Sequence, residues 1–324
     1  MKAAIIEKYG DPDIFEIKDM EKPTPRENEV LIRVRASSIN SHEWRSLRAI
    51  PLLVRFKNGI FKPKNPILGC DVAGEIEAVG KNIKTLEIGD KVYGCLADGN
   101  GDSCYAEYVC AKESIITKIP QGFSLPEMGA VPMAAVTALQ GLRNLAKLQS
   151  GQKILINGAS GGVGTFAVQI AKAMGAQVTG VCSSKNIDLI KMLGADVVID
   201  YKKRDFTNLT EKYDVIFDIV ANHSFSDYKR VLKPNGICVV VGFSTMKNMV
   251  RTSFDVSRTK NKNQKVVMLM ADNTVQQDLC YMNTLLESKK VVPVIDNYYP
   301  LSKISKAFWY YEKEHPKGKV VIEI

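Results

Sequence analysis

Eight residues, Asn157-Gly158-Ala159-Ser160-Gly161-Gly162-Val163-Gly164, stand between the apolar run Lys153-Ile154-Leu155-Ile156 and a segment whose apolar residues recur at helical spacing. Phe166, Ala167, Ile170, Ala171 and Met174 form that stripe, three or four residues apart, as in a helix docked on a sheet. Strand, glycine-rich turn and helix in this order open a dinucleotide-binding unit. Glycine is needed because the chain must turn sharply out of the strand and bring its N–H groups up to a pyrophosphate resting on the positive helix end. A side chain at Gly161 would block that approach. Ser160, Gly161, Gly162 and Val163 are therefore the expected phosphate-binding residues.

From Lys153 the pattern alternates. Strands are expected at 177–182, 197–200, 215–218 and 236–241, with helices at 186–193 and 225–232. Such alternation builds a doubly wound parallel sheet, a Rossmann domain in the α/β class. The residues before the loop are instead rich in short β-like runs punctuated by Gly and Pro, such as Val30–Val34, Asp71–Val79 and Lys91–Tyr93. A helical stretch from Leu125 to Leu148 leads into the nucleotide domain. After Lys265 come one more strand, a helix from about Val275 to Ser288 and a terminal β-like run, Gly318–Ile324. That ending breaks the Rossmann rhythm, so the tail is expected to return to the first domain. The expected domains are 1–122 with 266–324, β-rich, and 123–265, nucleotide-binding.

At 324 residues, 45% hydrophobic and 24% charged, the chain has the composition of an ordinary globular protein with room for two cores. No apolar run is long enough for a bilayer span, and Glu7 interrupts the N-terminus too early for a signal peptide, so a cytoplasmic location is expected. Seven cysteines, an odd number, are scattered from Cys70 to Cys280 and read as reduced thiols. The net charge of +9 is spread along the chain instead of clustering with aromatics, so nucleic acid is not an expected partner. The densest basic stretch, 258–265, reads as a solvated loop.

The strand that follows the glycine loop's helix ends Val181-Cys182-Ser183-Ser184-Lys185. An acid there would bind both ribose hydroxyls of NAD and repel a 2′-phosphate; two hydroxyls and an ammonium attract one. Ser183, Ser184 and Lys185 thus point to NADPH. A helix N-cap at Ser183 or Ser184 is compatible with that role. Asp188 and Asp200 are the acids that argue for NAD, but the first lies in the next helix and the second one strand later. Gly242 and Phe243 follow a strand whose carboxyl end faces the ligand crevice in such sheets, and Phe243 also suits a core.

Seven segments together resemble the medium-chain dehydrogenase/reductase superfamily, specifically its zinc-free quinone oxidoreductase-like branch. They are Ala36-Ser37-Ser38-Ile39-Asn40, Gly69-Cys70-Asp71-Val72-Ala73-Gly74, Val136 to Leu142, Gly158 to Gly164, Leu193-Gly194-Ala195-Asp196, Val198-Ile199-Asp200-Tyr201 and Gly318-Lys319-Val320-Val321. The resemblance implies a GroES-like β-rich domain beside the Rossmann domain, and it implies a homodimer. It also implies that Tyr201 lies against the adenosine phosphate, that Thr137 bonds the nicotinamide ribose and that Asn40 sits beside nicotinamide and substrate. Zinc-dependent members place a Cys where this chain resembles them at Asn40, and a His-Glu pair at Cys70-Asp71. The first ligand is missing, and Cys95, Cys104 and Cys110 lack the spacing of a structural site, so no metal is expected.

Hydride transfer to a simple ketone builds an alkoxide that zinc stabilises as a Lewis acid. A quinone or an α,β-unsaturated carbonyl spreads the developing charge over its own conjugation, so hydrogen bonds suffice. The expected reaction is therefore NADPH-dependent reduction of such a small-molecule acceptor. An NADP-dependent alcohol or carbonyl dehydrogenase is one alternative, and a non-catalytic, NADPH-responsive nucleic-acid-binding relative is another. Around Asn40, Ser41 can donate to the substrate and Trp44 can stack on it, although Trp also fills cores. His42 and Arg45 are further polar candidates. Tyr299-Pro300-Leu301-Ser302-Lys303 imitates the Tyr-x-x-x-Lys of short-chain dehydrogenases, but Pro300 argues for a loop where that motif needs one helix.

Overall fold

Near-continuous apolar runs bounded by turn residues suit strands buried on both faces, and six of them pair side by side in one parallel sheet. The computed structural model describes the chain except residues 53, 98–102, 244, 261 and 273–274, and the side chain of residue 57. The sheet order is Val197–Asp200, Gln177–Cys182, Lys153–Asn157, Tyr213–Asp218, Leu232–Val240, Lys265–Met268. The strand before the glycine loop thus lies at the centre, where chain order reverses and nucleotides bind in doubly wound sheets. Helices Gly162–Ala173, Ile187–Met192, Phe225–Val231 and Met246–Thr259 fill the crossovers.

The chain divides into two compact units. One is Met1–Val136 with Asn273–Glu287 and Pro293–Ile324; the other is Thr137–Asp272 with Ser288–Val292. The division comes later than the expected 122/123. The short helix Leu125–Gly129 packs on strands Glu29–Ser38, Asp71–Val79 and Lys319–Glu323, and the Cβ that Gly129 lacks would lie 2.9 Å from that of Ala36. At the other end Lys265–Met268 pairs with Leu232–Val240, so the second boundary lies beyond the expected 265/266.

The first unit carries a seven-stranded sheet. Ile295–Pro300 and Lys319–Glu323 run parallel, then Glu29–Ser38, Asp71–Val79, Lys91–Cys95 and Ile116–Lys118 follow antiparallel, with Tyr108–Lys112 also on Glu29–Ser38. The C-terminal strand thus enters the N-terminal sheet. Its core includes Ile39, Leu47, Tyr105, Phe308, Val320 and Ile322, with Tyr105 edge-on to Phe308 at 5.9 Å.

Three expectations need correction. The segment 125–148 is not one helix: Pro132 starts a second, Pro132–Gln140, and a π-helical turn covers Gly141–Leu145. Tyr298 to Pro300 belongs to a strand, not a loop, so Tyr299 and Lys303 share no helix turn. The stretch 258–265 is not wholly a loop. Arg258 and Thr259 end the helix Met246–Thr259, Lys265 begins a strand, and residue 261 lies outside the described residues. That helix was hidden because threonines take inward positions: Thr252 and Thr259 are buried, and Thr259 Oγ1 accepts from Val266 N at 2.9 Å.

Candidate functional site

The glycine loop is shaped by backbone requirements. Gly158 has φ +86°, and the Cβ absent from Gly164 would lie 2.1 Å from the Gly158 carbonyl oxygen, so loop and helix touch there. At Gly161 an added Cβ meets only the Gly158 oxygen, at 3.7 Å. The space outside Gly161 is therefore open to a ligand. Gly161 is also the N-cap of Gly162–Ala173 and makes no side-chain cap, which leaves the positive helix end to a phosphate. Ser160 Oγ accepts from Asn186 Nδ2 at 2.9 Å, tying the loop to the end of the neighbouring strand. These features fit a dinucleotide pyrophosphate.

Ser183, Ser184 and Lys185 follow the strand Gln177–Cys182, with Ser183 buried and the next two exposed. Ser183 caps a 3-10 turn without a side-chain hydrogen bond. Ser184 Oγ donates to Asp200 Oδ2 at 2.5 Å, and this bond holds the Asp200 carboxyl below the usual range. Asp200 was set aside as one strand too late, yet its strand lies directly beside Gln177–Cys182 with Asp200 opposite Cys182. Tyr201 is exposed, and its N–H donates to the Cys182 carbonyl at 3.1 Å. Lys202, Lys203 and Arg204 follow it in an exposed turn, a basic group that sequence reasoning passed over.

Central strand ends are capped by polar groups. Asn157 Nδ2 donates to Asp218 Oδ1 at 2.9 Å, and Asp218 Oδ1 also accepts from the N–H groups of Val220 and Ala221. Gly242 and Phe243 follow Leu232–Val240; a Cβ on Gly242 would lie 3.3 Å from the Ile219 oxygen, and Phe243 packs partly on the hydrophobic core. Thr137, nearly buried, lies in Pro132–Gln140.

In the β-rich unit Asn40 ends one strand region and precedes the helix Ser41–Arg48. Its N–H donates to Glu43 Oε2 at 2.9 Å, a capping contact from the third helical residue. Its side chain joins a buried polar cluster: Nδ2 donates to Asp71 Oδ2 at 2.9 Å, and Oδ1 accepts from the Lys319 ammonium. Asp71 also accepts from Ser38 Oγ at 2.5 Å, Met133 N at 2.8 Å and Lys319 Nζ at 3.5 Å. Glu43, Asp71 and Lys319 were all missed. The available signal was a lysine directly before the apolar run Val320-Val321-Ile322 in the terminal β-like segment. Ser41 is exposed, whereas Trp44 packs on the core and donates Nε1–H to Glu312 at 3.1 Å.

Among the described residues Cys70, Asp71 and Cys95 bring possible metal ligands within 4.8 Å of one another. Cys95 arrives there through the sheet, opposite Asp71 on the adjacent strand. The donor set does not fit tetrahedral zinc. Cys70 Sγ already donates to Glu43 Oε1 at 2.8 Å, and the Lys319 ammonium stands 3.5 Å from Asp71 Oδ2, where it would repel a second cation. Three donors, the Lys319 ammonium among them, share Asp71 Oδ2, and the Met133 N–H takes Oδ1.

Comparison with known proteins agrees with this architecture. Residues 26–121 match the alcohol dehydrogenase GroES-like domain, and residues 193–322 match the family described as zinc-binding dehydrogenase. The chain is 35% identical over 315 residues, 93% of its length and 91% of the relative's, to a chloroplast envelope quinone oxidoreductase homolog of Arabidopsis thaliana. It is 29% identical to an NADPH-dependent alkenal/one oxidoreductase of the same plant, over 99% of this chain and 79% of that one. The structure of the quinone oxidoreductase from Coxiella burnetii superposes with a TM-score of 0.88 at 29% identity, covering 100% of this chain and 99% of that one. With glycine loop, parallel sheet and GroES-like unit all in place, the chain belongs to the quinone oxidoreductase-like branch of the medium-chain dehydrogenase/reductase superfamily.

Proposed function

We propose that the protein is a zinc-independent reductase that uses NADPH to reduce a quinone or an α,β-unsaturated carbonyl. One observation carries the reading: Asp71 already accepts from Ser38, Asn40, Met133 and the Lys319 ammonium, a network that supplies hydrogen bonds and a buried cation, not a Lewis acid, to meet charge on the substrate. When bound, NADPH supplies a hydride. Ser160, Gly161, Gly162 and Val163 hold its pyrophosphate, and Thr137, Gly242 and Phe243 border the nicotinamide end. Ser183, Ser184, Lys185 and Tyr201 take the 2′-phosphate. The names of relatives, quinone oxidoreductase and alkenal/one oxidoreductase, support this acceptor class.

Asn40 and Ser41 face the acceptor in this reading; Trp44 is taken up by the core and Glu312. The acceptor's conjugation carries the incoming charge, and the Asn40 amide stabilises its oxygen. In this reading the protein assembles as a homodimer. No helix among the described residues is long and apolar enough to cross a membrane. No disulfide joins the seven cysteines, in keeping with a reducing compartment such as the cytoplasm.

The test is direct. Metal-free protein is mixed with NADPH and a panel of quinones, enones, aldehydes and ketones, and the nicotinamide absorbance is followed. Turnover confined to quinones or enones is expected. Tightly held zinc whose removal abolishes turnover, or indifference to both nicotinamide carriers in a calorimeter, would refute the proposal.

A further inference from the structure

We propose that Lys319 is a positioning residue that fixes the Asn40 carboxamide as a hydrogen-bond donor toward the carbonyl oxygen of the substrate; this rests on the reductase reading above. A carboxamide can turn either its oxygen or its NH2 group toward a ligand, and its other partners decide which. At Asn40 both partners allow a single answer. The Lys319 ammonium can only donate, and it donates to Oδ1. The Asp71 carboxylate accepts one Nδ2 hydrogen at 2.9 Å. The other Nδ2 hydrogen is shared between Glu43 Oε1 at 3.4 Å and Cys70 Sγ at 3.6 Å, its two longer bonds. It is the donor that a substrate oxygen, a nearer acceptor, takes over.

Lys319 is only 2% exposed, an expensive place for an ammonium unless its charge and hydrogens are used. Asp71 balances the charge. The bond to Oδ1 does more, because it draws electron density along the amide and makes the remaining N–H a stronger donor to an oxygen that becomes negative during reduction. An apolar strand residue at 319 would serve the sheet but would leave the amide held through Nδ2 alone, with nothing fixing Oδ1.

The experiment uses the full-length protein, the best acceptor from the panel, and the variants Lys319→Met, Lys319→Arg and Asn40→Ala. Lys319→Met should lower kcat about 30-fold while the KM for NADPH stays within about threefold. Lys319→Arg should recover most of that loss. Added to Asn40→Ala, Lys319→Met should change kcat by less than about twofold, since no amide remains to be positioned. If Lys319→Met does not fold, Asp71→Asn/Lys319→Met removes the paired charges and is compared with Asp71→Asn alone, so that only the loss of Lys319 is read. An equal loss in both backgrounds, or wild-type kcat in Lys319→Met, overturns the proposal. A second readout needs no turnover: the Asn40 side-chain amide resonance, identified by its loss in Asn40→Asp, should be protected from solvent exchange and lose that protection in Lys319→Met. Unchanged protection overturns the positioning role even in a protein that reduces nothing, an outcome that by itself defeats only the reductase reading.

Discussion

Ser184 Oγ donates to Asp200 Oδ2 at 2.5 Å, so an acid from the adjacent strand occupies a hydroxyl in the proposed 2′-phosphate site. The same carboxylate accepts from the N–H of Lys202 at 3.0 Å and shapes the basic turn. Asparagine can keep the turn bond while shedding the charge that opposes a phosphate. Asp200→Asn should therefore tighten NADPH about fivefold and leave NADH within about twofold. Calorimetric titration with both nucleotides checks this; equal changes for the two would place Asp200 away from the phosphate.

Lys185 is exposed at the end of the same strand. Replacing its charge with the opposite one removes an attraction and adds a repulsion, both felt only by a 2′-phosphate. Lys185→Glu should weaken NADPH about 30-fold or more and NADH by less than about threefold, since a charge-assisted bond to phosphate is worth about 2 kcal/mol. Fluorescence titration of the two reduced nucleotides measures the ratio. Equal losses would show that the 2′-phosphate lies elsewhere.

How much of this could be read in advance depends on sequence separation. The glycine loop is local, and strand, turn and helix declare themselves within about twenty residues. Asn40 was visible through resemblance, but its partners were not. Asp71 and Lys319 lie 248 residues apart and meet only because their strands both flank Glu29–Ser38. Cys95 reached Asp71 in the same way, across a ladder no spacing rule encodes. The helix Met246–Thr259 escaped for a different reason: its inward Thr252 and Thr259 look polar in sequence, and the Thr259 hydroxyl is satisfied by the Asp255 carbonyl and the Val266 N–H.

Two glycines in the same loop should fail differently. Gly164→Ala puts a methyl group 2.1 Å from the Gly158 carbonyl oxygen, so backbone must shift and about 3 kcal/mol of stability should be lost. Gly161→Ala meets nothing nearer than 3.7 Å and has ordinary backbone angles, φ −82° and ψ 178°. Its stability should stay within about 1 kcal/mol of wild type while NADPH affinity falls at least about tenfold, because the methyl stands where the pyrophosphate must come. Urea unfolding and nucleotide titration of both variants separate the effects. A Gly161→Ala protein that binds normally would remove the loop from the cofactor site.

The thiols offer a test of burial that varies with pH. Cys280 is exposed, Cys110 is intermediate and the other five are buried. Near pH 8 a disulfide reagent should label one thiol per chain quickly, and Cys280→Ser should abolish that phase. Burial pushes the Cys110 thiol up to about 11, and since the thiolate is the nucleophile, the slower phase should accelerate about tenfold per pH unit between about pH 8 and 10. Cys110→Ser should remove it. Stopped-flow labelling in native buffer gives both rates; a slow phase that is flat with pH would mean that local opening, not ionisation, limits access to the Tyr108–Lys112 strand.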